Sequence, residues 1–192
     1  MSTARLLVAC VGNIFLGDDA FGVEVAQRLA QRPQQEGVRV VDFGIRGLDL
    51  AYALLDEYQA VILVDAAPRG GEPGTLYVLE PELGPAVSSS AEMPLIETHN
   101  MDPARVLRLA ATLGGRVRRL VVVGCEPESS GGEEDISPEM SGPVRAAVDE
   151  AVLLVESLVV RLLRAEEATG GSAALQCEEH GFSGEDSRIS TM

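Results

Sequence analysis

The feature that most constrains the fold is a short apolar run, Leu6–Val11, that is followed by Gly12 and then by a helical pattern. Uniformly apolar strands of this length are typical of parallel sheets, because helices cover both faces of such sheets. Apolar residues then recur at helical spacing over Ala20–Arg32, and Pro33 ends the predicted helix because proline has no backbone N–H to donate. The segment therefore predicts the first strand and helix of an α/β sheet.

The same alternation continues along the chain. The further predicted strands are Val38–Phe43, Val61–Val64, Thr75–Leu79 and Val117–Val123, and the further predicted helices are Leu48–Leu55, Asp102–Leu113 and Pro143–Leu163. The order β-α-β-α-β-β-α-β-α predicts an α/β fold: a single domain with a mostly parallel twisted sheet, helices on both faces and one antiparallel strand. Because no helix separates the third and fourth strands, we expect these two to pair as an antiparallel hairpin.

Composition indicates one globular domain and a distinct end. The chain has 192 residues, of which 46% are hydrophobic, and we assign residues 1–164 to a single domain. Residues 165–192 are polar, acidic and rich in glycine and serine, which predicts a disordered tail. The stretch Pro81–Thr98 is rich in proline and serine and predicts a long loop.

The charge excludes several classes of function. A formal net charge of -15 argues against a nucleic-acid partner, because such binding needs a basic surface. All 15 basic residues are arginines, which excludes Schiff-base lysines and the lysine of Walker-type phosphate loops.

No apolar run approaches the roughly 18 to 20 residues that cross a bilayer. The first residues lack a signal-peptide pattern, and three cysteines without framework spacing fit a reducing compartment. We expect a cytoplasmic protein without nucleic-acid or membrane partners.

Two adjacent carboxylates, Asp18 and Asp19, follow the glycine-rich turn that begins at Gly12. The turn lies at the carboxyl end of the first predicted strand, where open α/β sheets bind their ligands. One interpretation makes one aspartate the helix cap and the other a first-turn acid that offsets the helix dipole. The other makes them part of a functional site. Phosphate binding is disfavoured, since carboxylates repel phosphate and the glycines lack the dinucleotide-binding spacing.

Two further candidates come from later segments. Asp65 directly follows the strand Val61–Val64 and is predicted at the same edge of the sheet, although an aspartate there also suits a simple turn. His99 precedes a helix that Asp102 could cap, with Pro103 at its first position; alternatively it is a surface histidine. One imidazole and two carboxylates form a mixed ligand set that suits nickel or zinc and leaves coordination positions open.

The remaining chemistry-bearing residues have simpler interpretations. Cys10 and Cys125 lie in or beside predicted strands and are expected to be small buried apolar residues rather than nucleophiles. Cys177 and His180 have a ligand-like spacing but belong to the polar tail, where we expect no metal site. Arg46 is either a turn residue or an anchor for a partner.

In their order and spacing these motifs resemble the hydrogenase maturation protease family, whose members remove the C-terminal extension from the large subunit of nickel-iron hydrogenases. The segments that carry the resemblance are Gly12–Gly22, Val64–Ala66, Glu97–Asp102 and Gly124–Glu128. The resemblance spans the chain from Leu6 to about Leu163 and implies a nickel-dependent endopeptidase that acts on a hydrogenase large-subunit precursor after nickel insertion.

The resemblance also implies roles for residues. Asp19, Asp65 and His99 match the metal-binding and catalytic positions of the family, and Asp18 is then left to shape and cap the turn. The metal is implied to be nickel supplied by the substrate, for which zinc or cadmium can substitute in crystals. Family members often have glutamate at the first ligand position, and the turn Asp42–Gly47 departs from their Asp-Gly-Gly-Thr-x-Gly pattern. That departure leaves the use of Arg46 open.

Two other functions remain open from the sequence. The first is a non-catalytic metal-binding or chaperone-like module of the same fold that holds the precursor. The second is a small-ligand or nucleotide-binding α/β domain.

Overall fold

A computed structural model describes residues 5–81, 103–128 and 139–174 of the chain. The strands are β1 (Leu6–Val11), β2 (Val38–Gly44), β3 (Ala60–Ala66), β4 (Leu76–Leu79) and β5 (Leu120–Cys125). The helices are α1 (Phe21–Ala30), α2 (Gly47–Ala53), α3 (Pro103–Thr112) and α4 (Gly142–Ala174), and a short 3₁₀-helix, Gly17–Ala20, precedes α1. The predicted order of strands and helices is confirmed.

The five strands form one sheet in the order β2-β1-β3-β5-β4. β1 pairs in parallel with β2 and β3, and β3 pairs in parallel with β5, while β4 runs antiparallel to β5. The predicted α/β class with one antiparallel strand is confirmed. The predicted hairpin between the third and fourth strands is wrong, because both edges of β3 are occupied by parallel partners. β4 instead pairs with β5 at the edge of the sheet, with Leu76 opposite Cys125.

The sheet is covered on both faces, which explains why its inner strands are uniformly apolar. Along β1, alternate residues contribute to two separate hydrophobic clusters, so that Val8 packs in one and Ala9 in the other. One cluster contains side chains of α1 and α4, and the other contains side chains of α2 and α3. Burial of both faces leaves the carboxyl edge of the parallel strands as the place where polar groups can gather.

The largest differences from the predicted boundaries are the start of β5 and the end of α4, and parts of the predicted tail and of the predicted loop lie outside the described residues. β5 begins at Leu120 rather than Val117, and α4 continues to Ala174 rather than ending at Leu163. The first ten residues assigned to a disordered tail are therefore helical, whereas residues 175–192 lie outside the described part of the chain. Of the predicted loop Pro81–Thr98, only Pro81 lies within the described part of the chain. Among the described helices, none is long and apolar enough to cross a membrane.

Candidate active site

The turn between β1 and α1 closes tightly on Asp19. Gly12 has φ +146°, and a Cβ atom there would lie 2.0 Å from the carbonyl oxygen of Asp19, so only glycine allows this approach. The backbone N–H of Asn13 donates to that carbonyl oxygen at 3.1 Å and to the Asp19 carboxylate Oδ2 at 2.9 Å. The Asp19 side chain is thus held in one orientation by its own turn.

A second close approach brings this turn against the sheet. A Cβ atom on Gly22, in the first turn of α1, would lie 2.1 Å from the carbonyl oxygen of Val11 and 2.6 Å from that of Val64. The start of α1 therefore lies directly over the carboxyl ends of β1 and β3. Because Asp65 follows Val64 in β3, this packing brings the Asp19 turn next to Asp65.

Asp19 and Asp65, the two carboxylates predicted for the site, are brought together by this packing. Burial, then the negative charge of Asp19, raises the pKa of Asp65 to about 8, against the opposing effect of a hydrogen bond from the Ala66 amide. Burial also raises the pKa of Asp19, and the Asn13 amide partly opposes the rise. Both side chains are half-buried at the carboxyl edge of the sheet.

The pair has the chemistry of a cation site. Two partly desolvated carboxylates repel each other, and a divalent cation between them would replace that repulsion by attraction. Carboxylate oxygens are ligands that nickel and zinc accept alongside imidazole. His99, the predicted third ligand, lies outside the described residues. Within residues 5–81, 103–128 and 139–174, no three His, Cys, Asp or Glu side chains cluster closely enough to hold a metal ion.

Asp18 has a role other than the predicted cap. Neither the 3₁₀-helix nor α1 has a side-chain cap at its N-terminus. Instead the buried Asp18 carboxylate accepts hydrogen bonds from the backbone amides of Glu128 at 2.8 Å and Ser141 at 2.7 Å. The prediction that Asp18 caps its own turn is therefore wrong, and Asp18 ties that turn to the segments that follow β5 and precede α4.

A buried carboxylate without a predicted site role, that of Glu126, organises the loop after Asp65. Glu126 is only 4% exposed, and it accepts hydrogen bonds from the backbone amides of Arg69 and Gly70 and from the Tyr77 hydroxyl at 2.8 Å. Burial raises the pKa of Glu126, but the hydrogen bonds from Tyr77, Arg69, Gly70 and Gly71 together hold it below its usual value. Two features of the sequence could have indicated this contact: Glu126 directly follows a predicted strand, and Gly70-Gly71 forms a turn whose backbone amides can donate to a carboxylate.

The two described cysteines fit their predicted structural role. Cys10 and Cys125 are free thiols with fully buried side chains. Burial, and to a lesser extent the negative charge of Asp42, raises the pKa of Cys10 well above its usual value. Burial, followed by the negative charges of Asp18 and Glu126, raises the pKa of Cys125 to about 12. Neither thiol is therefore poised as a thiolate nucleophile. Cys177 and His180 lie outside the described residues.

Arg46 closes the turn that departs from the family pattern. Its guanidinium donates hydrogen bonds to the backbone carbonyl oxygens of Asp42 and Phe43. The interpretation of Arg46 as a turn residue is thereby supported by direct contacts.

A family model described as hydrogenase maturation protease matches residues 23–158, which include Asp65 and His99 and begin just after Asp19. The chain belongs to the hydrogenase maturation protease family. The resemblance inferred from the sequence motifs is thus confirmed.

Curated relatives agree with this family assignment. The hydrogenase expression/formation protein HupD of Rhodobacter capsulatus is 34% identical over 152 residues, which cover 77% of this chain and 70% of HupD. A putative hydrogenase maturation protease of Methanocaldococcus jannaschii, MJ0253, is 32% identical over 155 residues, which cover 78% of this chain and 92% of the relative. The similarity therefore spans most of both proteins.

Solved structures of the family share the fold. The hydrogenase maturating endopeptidase HybD from E. coli matches with a TM-score of 0.63 and 28% identity, over 82% of this chain and 93% of HybD. A hydrogenase 2 maturation peptidase from a Thaumarchaeota archaeon matches with a TM-score of 0.61 and 34% identity, over 81% of this chain and 97% of the peptidase. Both matches extend over nearly the whole of the solved chains.

Proposed function

We propose that this protein is an endopeptidase that removes the C-terminal extension from a nickel-iron hydrogenase large-subunit precursor after nickel insertion. The observation that carries the proposal is the convergence of Asp19 and Asp65 at the carboxyl ends of β1 and β3 in a hydrogenase maturation protease. The maturation proteases and endopeptidases among its relatives support the substrate class.

Nickel enters this proposal as part of the substrate, already bound to the precursor. Asp19, Asp65 and His99 are the residues that would add ligands to it, two carboxylates and one imidazole. When bound, such a cation supplies Lewis-acid chemistry at the peptide bond. In this proposal the same nickel ion distinguishes a precursor that is ready for cleavage and forms part of the site.

The chain's own groups support this role in three ways. The Asn13 amide binds Oδ2 of Asp19 and thereby orients the carboxylate. The burial of Asp19 and Asp65 lowers the competition from water for any cation between them. The thiols of Cys10 and Cys125 are buried, so the proposed reaction is hydrolysis by a water molecule rather than attack by either of these two cysteines.

The decisive experiment incubates the purified protein with nickel-loaded and with nickel-free precursor and measures the product masses. We expect only the nickel-loaded precursor to lose its C-terminal peptide. Equal cleavage of the nickel-free precursor would contradict the nickel requirement. Stable binding of the loaded precursor without any change of mass would instead favour a non-catalytic protein that holds the precursor.

A further inference from the structure

Two loops at the carboxyl end of the sheet expose large apolar side chains. Ile14, Phe15 and Leu16 lie in the turn between β1 and the 3₁₀-helix, and the Phe15 side chain is 69% exposed. Ile45 lies in the turn between β2 and α2, and Leu48 lies in the first turn of α2 that completes this second loop; Leu48 is 56% exposed. We call these five residues the apolar rim. Single exposed apolar residues are common, but five on two neighbouring loops indicate an interaction surface.

The two loops leave the sheet side by side. β1 and β2 are adjacent parallel strands, and Val11 is opposite Gly44 where both strands end. The Gly12 amide also donates a hydrogen bond to the Gly44 carbonyl oxygen at 3.1 Å. The apolar rim therefore lies at the same edge of the sheet as Asp19.

Hydrogen bonds within the first of these loops hold the backbone of its rim residues in place. The Phe15 amide donates to Oδ1 of Asn13 at 3.0 Å, and the Leu16 amide donates to the Asn13 carbonyl oxygen at 3.1 Å. The same Asn13 binds Asp19 through its own amide. One short turn thus fixes the backbone of Phe15 and Leu16 relative to the Asp19 carboxylate. A surface that is ordered before a partner arrives loses less entropy on binding.

We infer that the apolar rim binds an apolar segment of the precursor chain next to the scissile bond. The inference rests on the proposed function, because a peptide bond placed at Asp19 and Asp65 requires its flanking residues to cross this edge of the sheet. Continuity between the rim and Asp19 favours the substrate as occupant. A second copy seated on the rim would cover the carboxylates that the substrate must reach.

The test uses serine substitutions on the rim and a matched control elsewhere. Phe15→Ser and Leu48→Ser remove apolar surface from the two loops, while Leu153→Ser removes a side chain that is 58% exposed on α4. Binding of the nickel-loaded precursor to each variant, and KM and kcat for its cleavage, would be measured. Burial of one large apolar side chain corresponds to roughly a tenfold or greater change in affinity.

We expect Phe15→Ser and Leu48→Ser each to raise the Kd and KM for the precursor roughly tenfold. Leu153→Ser should leave both unchanged, and kcat should stay within about twofold of wild type in all three variants. Circular dichroism and thermal melting establish that the variants are folded, which their exposed positions favour.

Two kinds of failure are distinguishable. If the wild-type protein cleaves the precursor but the rim variants bind it with wild-type affinity, the rim assignment is wrong and the proposed function stands. If the wild-type protein neither binds nor cleaves the loaded precursor, the proposed function is wrong and the rim assignment falls with it. A rim variant that changes only the oligomeric state in sedimentation, with unchanged precursor affinity, would identify a self-association surface and overturn the inference.

Discussion

The carboxylate of Asp18 and the backbone amide of Ser141 lie 2.7 Å apart, although 123 residues separate them in the chain. The adjacent residue, Asp19, accepts a hydrogen bond at its carboxylate from within its own turn, from the Asn13 amide. Two neighbouring aspartates therefore have different tasks. Asp18 joins distant segments of the fold, and Asp19 is left with Asp65 at the candidate active site.

Asp18→Asn tests the structural task. An asparagine side chain keeps one oxygen acceptor but turns an NH₂ group toward the second backbone amide, which then loses its partner. We expect the free energy of unfolding to fall by about 1–3 kcal/mol, the usual cost of leaving a buried donor unsatisfied. Urea denaturation followed by circular dichroism measures it. Asp49→Asn, at an exposed position on α2, is the control, and equal midpoints for the two variants would contradict the assignment.

Asp19→Asn and Asp65→Asn test the chemical task. We expect each to lower kcat/KM for the nickel-loaded precursor by more than about 100-fold, since even outer-shell partners of metal ligands cost 10- to 100-fold. Mass spectrometry of timed digests gives the rates, with Asp49→Asn again as the charge-matched control. Wild-type rates in both variants would remove these carboxylates from the proposed site.

Asp65→Asn should also keep the urea midpoint of the wild type, because it replaces a carboxylate whose charge is disfavoured by burial and by Asp19.

Glu126→Gln tests the carboxylate that organises the loop after Asp65. The pKa of Glu126 is held below its usual 4.5, so the folded state binds fewer protons there than the unfolded state. Its stabilising effect is fully present above pH 4.5 and is lost as the pH falls through the lower folded-state pKa. We therefore expect wild type to be more stable than Glu126→Gln at neutral pH, and the difference to shrink in acid. Denaturant midpoints across this range provide the measurement, and a difference that does not depend on pH would refute the charge-based explanation.

Gly22→Ala tests the packing that places α1 over the strand ends. A methyl group would lie 2.1 Å from the Val11 carbonyl oxygen, so the backbone must shift to admit it. We expect a loss of about 1–3 kcal/mol or more in unfolding free energy, the usual range for overpacking. Gly142→Ala is the matched control, because an added Cβ there meets no atom within 4 Å. Similar thermal midpoints for the two variants would argue against the close approach.

Much of the fold was predictable because its elements depend on local patterns. The apolar run Leu6–Val11 has the bounds of β1, and Pro103 begins α3 as predicted. Asp65 was predicted at a strand end and lies there, since residues that follow an apolar run of a parallel sheet emerge at its carboxyl edge. The position of the site within the fold could thus be derived from residues close together in the chain.

The amino-acid sequence by itself determined the order of strands and helices, the α/β class, the family and the strand ends at which Asp19 and Asp65 lie. Only the tertiary structure decided that β4 pairs with β5, that Asp18 binds Glu128 and Ser141, and that Glu126 holds the loop after Asp65. The physical reason is the range of the interactions. Periodicity and turn chemistry act between near neighbours, whereas strand partners and the acceptors of buried amides depend on how distant segments pack together.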